Sequence, residues 1–421
     1  MEKFIVDGGR TLSGMVEISG AKNSVLPIMA ASILSDQSVR LTNVPGLKDV
    51  STMARLLCQI GVEVTLDDQG NCFIDPTCLM SYRASYELVK TMRASFLVLG
   101  PILTKYGKAE VSLPGGCAIG ARPVDLHIKG LELMGAKVQV ESGYVKALAR
   151  DGLKGAEIFL EIVSVGATEN LIMAAVLAKG ITVIHNAARE PEIVDLADFL
   201  QSMGAKINGA GTSTIEVEGV TGLKGVSHSI IGDRVEAATF LIAAAASGGE
   251  IEVTGFNPNH LSILLDKLRL AGANLSVGEK SVLLNMEQGA LKPVDIETDV
   301  YPGFPTDMQA QFMVLNCISN GRSVIRERIF ENRFLHVQEL SRLGAKIELR
   351  GSSTAVITGV DKLNAAQVMA TDLRASSSLV IAALIAEGRS VIDRIYHIDR
   401  GYQAIEEKIM KLGGMIKRVN R

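Results

Sequence analysis

Little in this chain is suited to a highly charged or a lipid partner. Its 43 basic and 46 acidic residues leave a formal net charge of −3, which argues against a general nucleic-acid or membrane-surface binder. Any anion site must therefore be assembled locally. Apolar runs such as Leu241 to Ser247 fall far short of a membrane span. Met1 leads into Lys3-Phe-Ile-Val6 and a glycine turn without a secretory leader pattern, so a soluble, cytoplasmic protein is expected. The five cysteines, at 58, 72, 78, 117 and 317, are odd in number and lack a Cys-x-x-Cys pair, which disfavours a disulfide framework and a zinc site alike. Cys58 and Cys317 lie in apolar helical patterns and are expected in the core. The histidines, at 127, 185, 228, 260, 336 and 397, offer no His-x-x-x-His spacing, and no metal is assigned to them. Neither a Gly-x-x-x-x-Gly-Lys-Ser/Thr loop nor a strand-linked Gly-x-Gly-x-x-Gly is present; Gly8-Gly9 and Gly20-Ala-Lys22 are too sparse for either. Nucleotide binding by a standard NTPase or Rossmann unit is therefore disfavoured, while a nucleotide can still be bound as part of a substrate.

What the chain has is a repeat. A short phrase recurs as Ile60-Gly-Val-Glu-Val64, Met134-Gly-Ala-Lys-Val138, Met203-Gly-Ala-Lys-Ile207, Ala271-Gly-Ala-Asn-Leu275, Leu343-Gly-Ala-Lys-Ile347 and Leu412-Gly-Gly-Met-Ile416. Its glycines fall at 61, 135, 204, 272, 344 and 413, in steps of 74, 69, 68, 72 and 69, so six small α/β modules account for the whole chain. In each, an apolar-periodic helix ends at the glycine and an alternating strand follows. A second phrase, an Ala-rich helix apolar on nearly every face, covers Asn23 to Leu34, Ala94 to Leu103, Asn170 to Ala178, Glu236 to Ala246, Met308 to Ile318 and Ala375 to Ala386. Helices of that kind are buried. Three in the centre of each half, with strands and amphipathic helices around them, predict an inside-out α/β barrel used twice. At this length two domains are expected, one formed by residues 1–20 with 231–421 and the other by 21–230. The link lies at Leu223 to Ile231, and the opening strand Phe4 to Val6 completes the far domain.

The buried helices are preceded by Lys22-Asn23, Arg93, Thr168-Glu169-Asn170, Asp233-Arg234, Thr306-Asp307 and Thr371-Asp372-Leu373-Arg374. Asp and Thr suit a helix N-cap, but Lys and Arg there oppose the helix dipole unless an anion sits between them. Parallel helices would gather three such ends on one face of each domain. Two opposed faces would form an anion-binding cleft.

The stretch richest in chemistry is Leu113-Pro-Gly-Gly-Cys-Ala-Ile-Gly-Ala-Arg-Pro-Val-Asp-Leu-His127. Its glycines permit close approach of backbone to ligand. Cys117 near Arg122 is either a low-pKa thiolate or a small hydrophobe at a loop crossing. Among the carboxylates Asp49, Asp125, Asp307, Asp372 and Asp399, Asp307 stands out, because Tyr301-Pro-Gly-Phe-Pro-Thr306 holds the chain extended until it. It reads as a general base or as the cap of Met308. Arg374 and Arg400 are further cations, the latter in His397-Ile-Asp-Arg-Gly-Tyr402, where a surface salt bridge is the alternative.

Gly20-Ala-Lys-Asn-Ser-Val-Leu-Pro27, Leu113 to Pro123, Ser164-Val-Gly-Ala-Thr168, Pro302-Gly-Phe-Pro-Thr-Asp307, Phe330-Glu-Asn-Arg-Phe334 and Asp372-Leu-Arg374 together resemble the UDP-N-acetylglucosamine 1-carboxyvinyltransferase family of enolpyruvyl transferases. The resemblance implies two inside-out barrels of three βαβαββ units each, with the active site in the interdomain cleft. It implies transfer of the enolpyruvyl group of phosphoenolpyruvate to the sugar 3-hydroxyl through a tetrahedral ketal, for peptidoglycan synthesis, with no cofactor. Carried onto matching positions, Cys117 is the general acid and Asp307 the base. Lys22, Arg122 and Arg400 hold the phosphate and carboxylate of phosphoenolpyruvate, and Asn23 bridges to the sugar. Asp372 and Arg374 shape the site and Arg93 supports it, while Pro123, Val124, Asp125, Leu126, Ser164, Val165 and Ile329 line the uridine and sugar pocket. The enolpyruvyl transferases that act on shikimate 3-phosphate are the nearest rival, and a non-catalytic repeat protein is the rival from another class.

Overall fold

The glycines of the repeated phrase show why the chain turns where it does. In the structure, a computed structural model describing residues 2–115, 124–286 and 291–420, Gly61, Gly135, Gly204, Gly272, Gly344 and Gly413 all have φ between 88° and 111°. That region strains any residue with a Cβ. Each glycine ends an amphipathic helix and starts a strand: Lys48–Gln59, Asp125–Leu133, Pro191–Met203, Ser262–Ala271, His336–Arg342 and Ile405–Lys411 are the helices concerned.

The described residues divide into two compact units, one of residues 20–115 with 124–231 and the other of 2–19 with 232–420. Each contains three four-stranded sheets with one order. In the sheet Glu157–Phe159, Ile181–His185, Thr214–Glu218, Lys206–Asn208, the first pair is parallel and the rest antiparallel, which in chain order, with the helices Val165–Ala175 and Pro191–Met203 between strands, is a βαβαββ module. Among the described residues the strands of each unit form three separate four-stranded sheets and no continuous closed cylinder. Strands such as Glu250–Thr254 alternate buried and exposed residues, the signature of one face on a core.

The Ala-rich helices are interior. Every residue from Arg234 to Ala246 is buried in helix Arg234–Ser247, as is every residue from Arg374 to Leu384 in helix Leu373–Ile385; both pack against Gln309–Cys317. In the other unit Lys22–Ala31, Leu99–Tyr106 and Val165–Ala175 play the same part. Two expected starts differ: the segment after Arg93 is a 3₁₀ turn, Arg93–Val98, and its α-helix begins at Leu99. Helix Val165–Ala175 is capped by Ser164, so Thr168, Glu169 and Asn170 lie inside its first turns.

The two modules that share residues 13–42 exchange first strands. Ser13–Glu17 pairs in parallel with Glu250–Thr254, and Ser227–Ser229 pairs in parallel with Val39–Thr42. The opening strand Glu2–Asp7 lies between Arg389–Asp393 and Met415–Asn420, antiparallel to both, and so closes the last module. A buried carboxylate fastens each crossing. Glu236 accepts from the Ser19 backbone N–H at 2.8 Å and from Lys408 Nζ at 2.8 Å; burial pushes its pKa up, although Lys408 opposes this. Asp195 accepts from Ser24 Oγ and from the Ile231 N–H, and His228 Nε2 lies 2.8 Å from its Oδ1.

Cys317 is buried as expected, but Cys58 is exposed. The buried stripe of helix Lys48–Gln59 runs through Val50, Met53 and Leu57, and at about 100° per residue Cys58 has rotated past it.

Candidate functional site

The unit of residues 2–19 and 232–420 gathers its charged candidates around Asp307. Extended chain through Pro302 and Pro305 leads into a single 3₁₀ turn, Thr306–Met308, ahead of helix Gln309–Cys317. The N-cap of that turn is Pro305 and no side chain caps it or the helix that follows, so of the two readings of Asp307 the cap of Met308 is not the one seen. Its carboxylate is held by two guanidinium groups instead. Arg333 Nη2 donates to Oδ1 at 2.7 Å and Arg374 Nε donates to Oδ2 at 3.2 Å. Both arginine side chains are almost wholly buried, at 6% and 4% exposure, whereas that of Asp307 keeps 28%. The carboxylate is thus fixed in place and still partly exposed.

The arginines are themselves held. Burial works against the charge of Arg374, but Asp307, Tyr402 and Asp233 outweigh it and leave its pKa above the ordinary arginine value. Asp372 is a helix cap, its Oδ1 accepting from the N–H groups of Arg374 and Ala375 at 2.9 and 3.0 Å. Glu327 is buried and was not anticipated. Its Oε1 accepts from Thr298 Oγ1 and the Ile329 and Phe330 N–H groups, and its Oε2 from Thr306 Oγ1 at 2.9 Å. One carboxylate thus ties half-buried Ile329 to the residue before Asp307. Half-buried Arg400 ends the turn Ile395–Arg400. The next residue, Gly401, packs so closely that a Cβ would lie 2.3 Å from Leu373 Cδ1, which sets that turn beside the helix start carrying Arg374. Asp399 pairs with Arg418 at 2.6 Å.

In the other unit Lys22 opens helix Lys22–Ala31 with no acidic residue in the first turn and no side-chain cap. Its Nζ lies 3.3 Å from Asp49 Oδ2, with both residues buried. Asn23 follows, half-buried. Arg93 opens the turn Arg93–Val98. Asp125 is exposed at the start of Asp125–Leu133, Val124 is its N-cap, and Leu126 turns into the core. Ser164 Oγ accepts from the Ala167 N–H at 3.3 Å, and Val165 packs partly against the core. Cys117, Arg122 and Pro123 lie outside the described residues.

Behind these groups His127 Nδ1 lies 2.9 Å from Asn170 Nδ2, and burial, aided by the Arg93 charge, lowers the His127 pKa to about 3. The unfolded chain protonates this ring near its ordinary 6.5 while the fold does not. Its stabilising contribution is therefore full above pH 6.5 and is lost towards pH 3 at about 1.4 kcal/mol per pH unit. Thermal midpoints of a His127→Gln variant are expected to fall less steeply below pH 6.5 than those of the parent. Parallel slopes would count against a buried neutral imidazole.

The motif around these residues has relatives. The model of the family EPSP synthase (3-phosphoshikimate 1-carboxyvinyltransferase) matches residues 6–409. The chain belongs to this family. It is 55% identical over 419 residues to proteins named UDP-N-acetylglucosamine 1-carboxyvinyltransferase from Shewanella piezotolerans and Shewanella halifaxensis, with 100% of both chains covered in each case. Among solved structures, the enolpyruvyl transferase NikO from Streptomyces tendae superposes with a TM-score of 0.87 at 22% identity, covering 100% of this chain and 99% of that one. EPSP synthase from Acinetobacter baumannii gives 0.76 at 16% identity, with 100% of both chains covered. At such identities the likeness speaks for the enolpyruvyl-transferase fold.

Arg333 and Glu327 are the residues around Asp307 that were not among the candidates. Arg333 stood inside the Phe330-Glu-Asn-Arg-Phe334 motif, which was a usable signal. For Glu327, in an ordinary Arg-Glu-Arg run, there was none.

Proposed function

We propose that the protein transfers the enolpyruvyl group of phosphoenolpyruvate to the 3-hydroxyl of UDP-N-acetylglucosamine and releases inorganic phosphate, the first committed step towards peptidoglycan. The observation that carries this reading is the carboxylate of Asp307, fixed by two buried arginines yet partly exposed. Full-length identity to carboxyvinyltransferases named for that sugar nucleotide supports the choice of acceptor.

In the addition step the sugar hydroxyl oxygen bonds to C2 of phosphoenolpyruvate, Asp307 takes the hydroxyl proton, and Cys117 gives a proton to the C3 methylene. A tetrahedral phosphoketal results. In the elimination step a proton leaves the new methyl group for the Cys117 thiolate as the C2–O bond to phosphate breaks, and the proton on Asp307 passes to the departing phosphate, which restores the double bond and both residues. Lys22, Arg122 and Arg400 hold the phosphate and carboxylate, since two anionic groups on three carbons need several separate cations. Asp49 keeps Lys22 aimed. Asn23 bridges to the sugar, and Arg93, Asp372 and Arg374 support the site. Pro123, Val124, Asp125, Leu126, Ser164, Val165 and Ile329 contact the uridine and sugar.

A phosphate-release assay with each acceptor tests this. Release is expected with UDP-N-acetylglucosamine and not with shikimate 3-phosphate; the reverse would move the protein to the other branch. Sugar-nucleotide binding by titration calorimetry without any phosphate release would make it a binding protein.

A further inference from the structure

The three central helices of the unit containing Asp307 meet at a buried group of polar side chains around Tyr402. Tyr402 is among the unit's largest fully buried side chains, at 1% exposure. Its hydroxyl lies 2.9 Å from Thr239 Oγ1 and 3.1 Å from Ser377 Oγ, and accepts from Gln311 Nε2 at 3.4 Å. These partners come from the three central helices Arg234–Ser247, Leu373–Ile385 and Gln309–Cys317. The Thr239 and Ser377 hydroxyl protons are already given to the carbonyls of Val235 and Arg374, so the single phenolic proton serves one of the two at a time. A hydrogen-bonded network of this kind rigidifies a core and fixes the placement of its members.

This network touches both halves of the Asp307 ion pair. The Tyr402 ring lies under the Arg374 guanidinium, 5.6 Å from its Cζ to the ring centroid. Gln311 Nε2, besides meeting Tyr402 and Thr239, donates to the backbone carbonyl of Asp307 at 3.0 Å. We propose that Tyr402, through Gln311 and Arg374, is a positioning residue for Asp307, fixing the direction in which its carboxylate faces the substrate hydroxyl. The proposal rests on the reading of Asp307 as the base. Neither Tyr402 nor Gln311 needs to touch substrate, and a loss of their contacts should misplace the carboxylate without weakening ground-state binding.

The test compares Tyr402→Phe, Asp307→Asn and the double variant by steady-state phosphate release, with thermal unfolding of each. Tyr402→Phe keeps the ring under Arg374 and removes only the hydroxyl. Its kcat is expected to fall about 10- to 100-fold, the scale of a small misplacement of a reacting group, with KM for both substrates unchanged. In the Asp307→Asn background the same substitution should cost nothing further. If Tyr402→Phe does not fold, Gln311→Met, which keeps chain length and removes the amide, is expected to give the same kcat loss. Wild-type kcat, a change in KM alone, or a full extra loss in the double variant would overturn the proposal. Wild-type turnover in Asp307→Asn would overturn the reading of Asp307 itself, and the coupling with it, which keeps the two failures apart.

Discussion

Asp307→Asn is expected to lower turnover by roughly 10²–10⁴-fold, the usual cost of losing a general base, while sugar-nucleotide binding by calorimetry stays close to that of the parent. The amide retains the shape and one acceptor oxygen. It loses the basic site and the negative charge that an oxocarbenium-like centre would feel. Arg333 and Arg374 also lose their countercharge while still buried, so the thermal midpoint should fall as well. That second effect separates causes. A variant with a lowered midpoint and near-parent turnover would leave Asp307 a purely structural anchor for the two arginines, and the base would have to be sought elsewhere.

The local sequence could not have assigned this role, and the reason is visible in a pair of near-identical phrases. Thr306-Asp307-Met308 and Thr371-Asp372-Leu373 both place Thr-Asp ahead of an apolar helix. Asp372 does what the pattern predicts and caps its helix. Asp307 sits within a 3₁₀ turn, and its oxygens go to arginines 26 and 67 residues away in sequence. Arg374 comes from the following module and Arg333 from a loop of the same one, and the periodicity of a single helix or strand reports neither contact. Lys22 and Asp49, from helices 27 residues apart in the chain, make the same point. Whatever depends on one residue's own backbone was legible: the six turn glycines, each with positive φ, and the Ala-rich helices that are buried on all sides. Cys58 shows the limit of the pattern even there, since an apolar helix still has an outer face.

Cys117 carries the other large effect, and its surroundings in sequence, glycines on both sides and Arg122 five residues on, favour an accessible thiolate. The remaining cysteines supply the contrast. Burial pushes the thiols of Cys72 and Cys317 up to about 12, so neither should react near neutral pH. Cys58 and Cys78 are exposed and are the fair competitors. An epoxide phosphonate that imitates phosphoenolpyruvate should alkylate Cys117 ahead of both once the sugar nucleotide is bound: the thiolate sulfur bonds to an epoxide carbon, the C–O bond opens, and the alkoxide takes up a proton. Cys117→Asp keeps a proton donor of similar reach without the nucleophile and should turn over yet resist the epoxide. Cys117→Ser, whose hydroxyl is a far weaker acid, should lose roughly 10²–10⁴-fold in turnover. Peptide mapping after labelling decides the first half, and modification at Cys58 or Cys78 in preference to Cys117 would sink it. Kinetics decide the second: a serine variant as fast as the parent would mean that the proton to the methylene comes from another group.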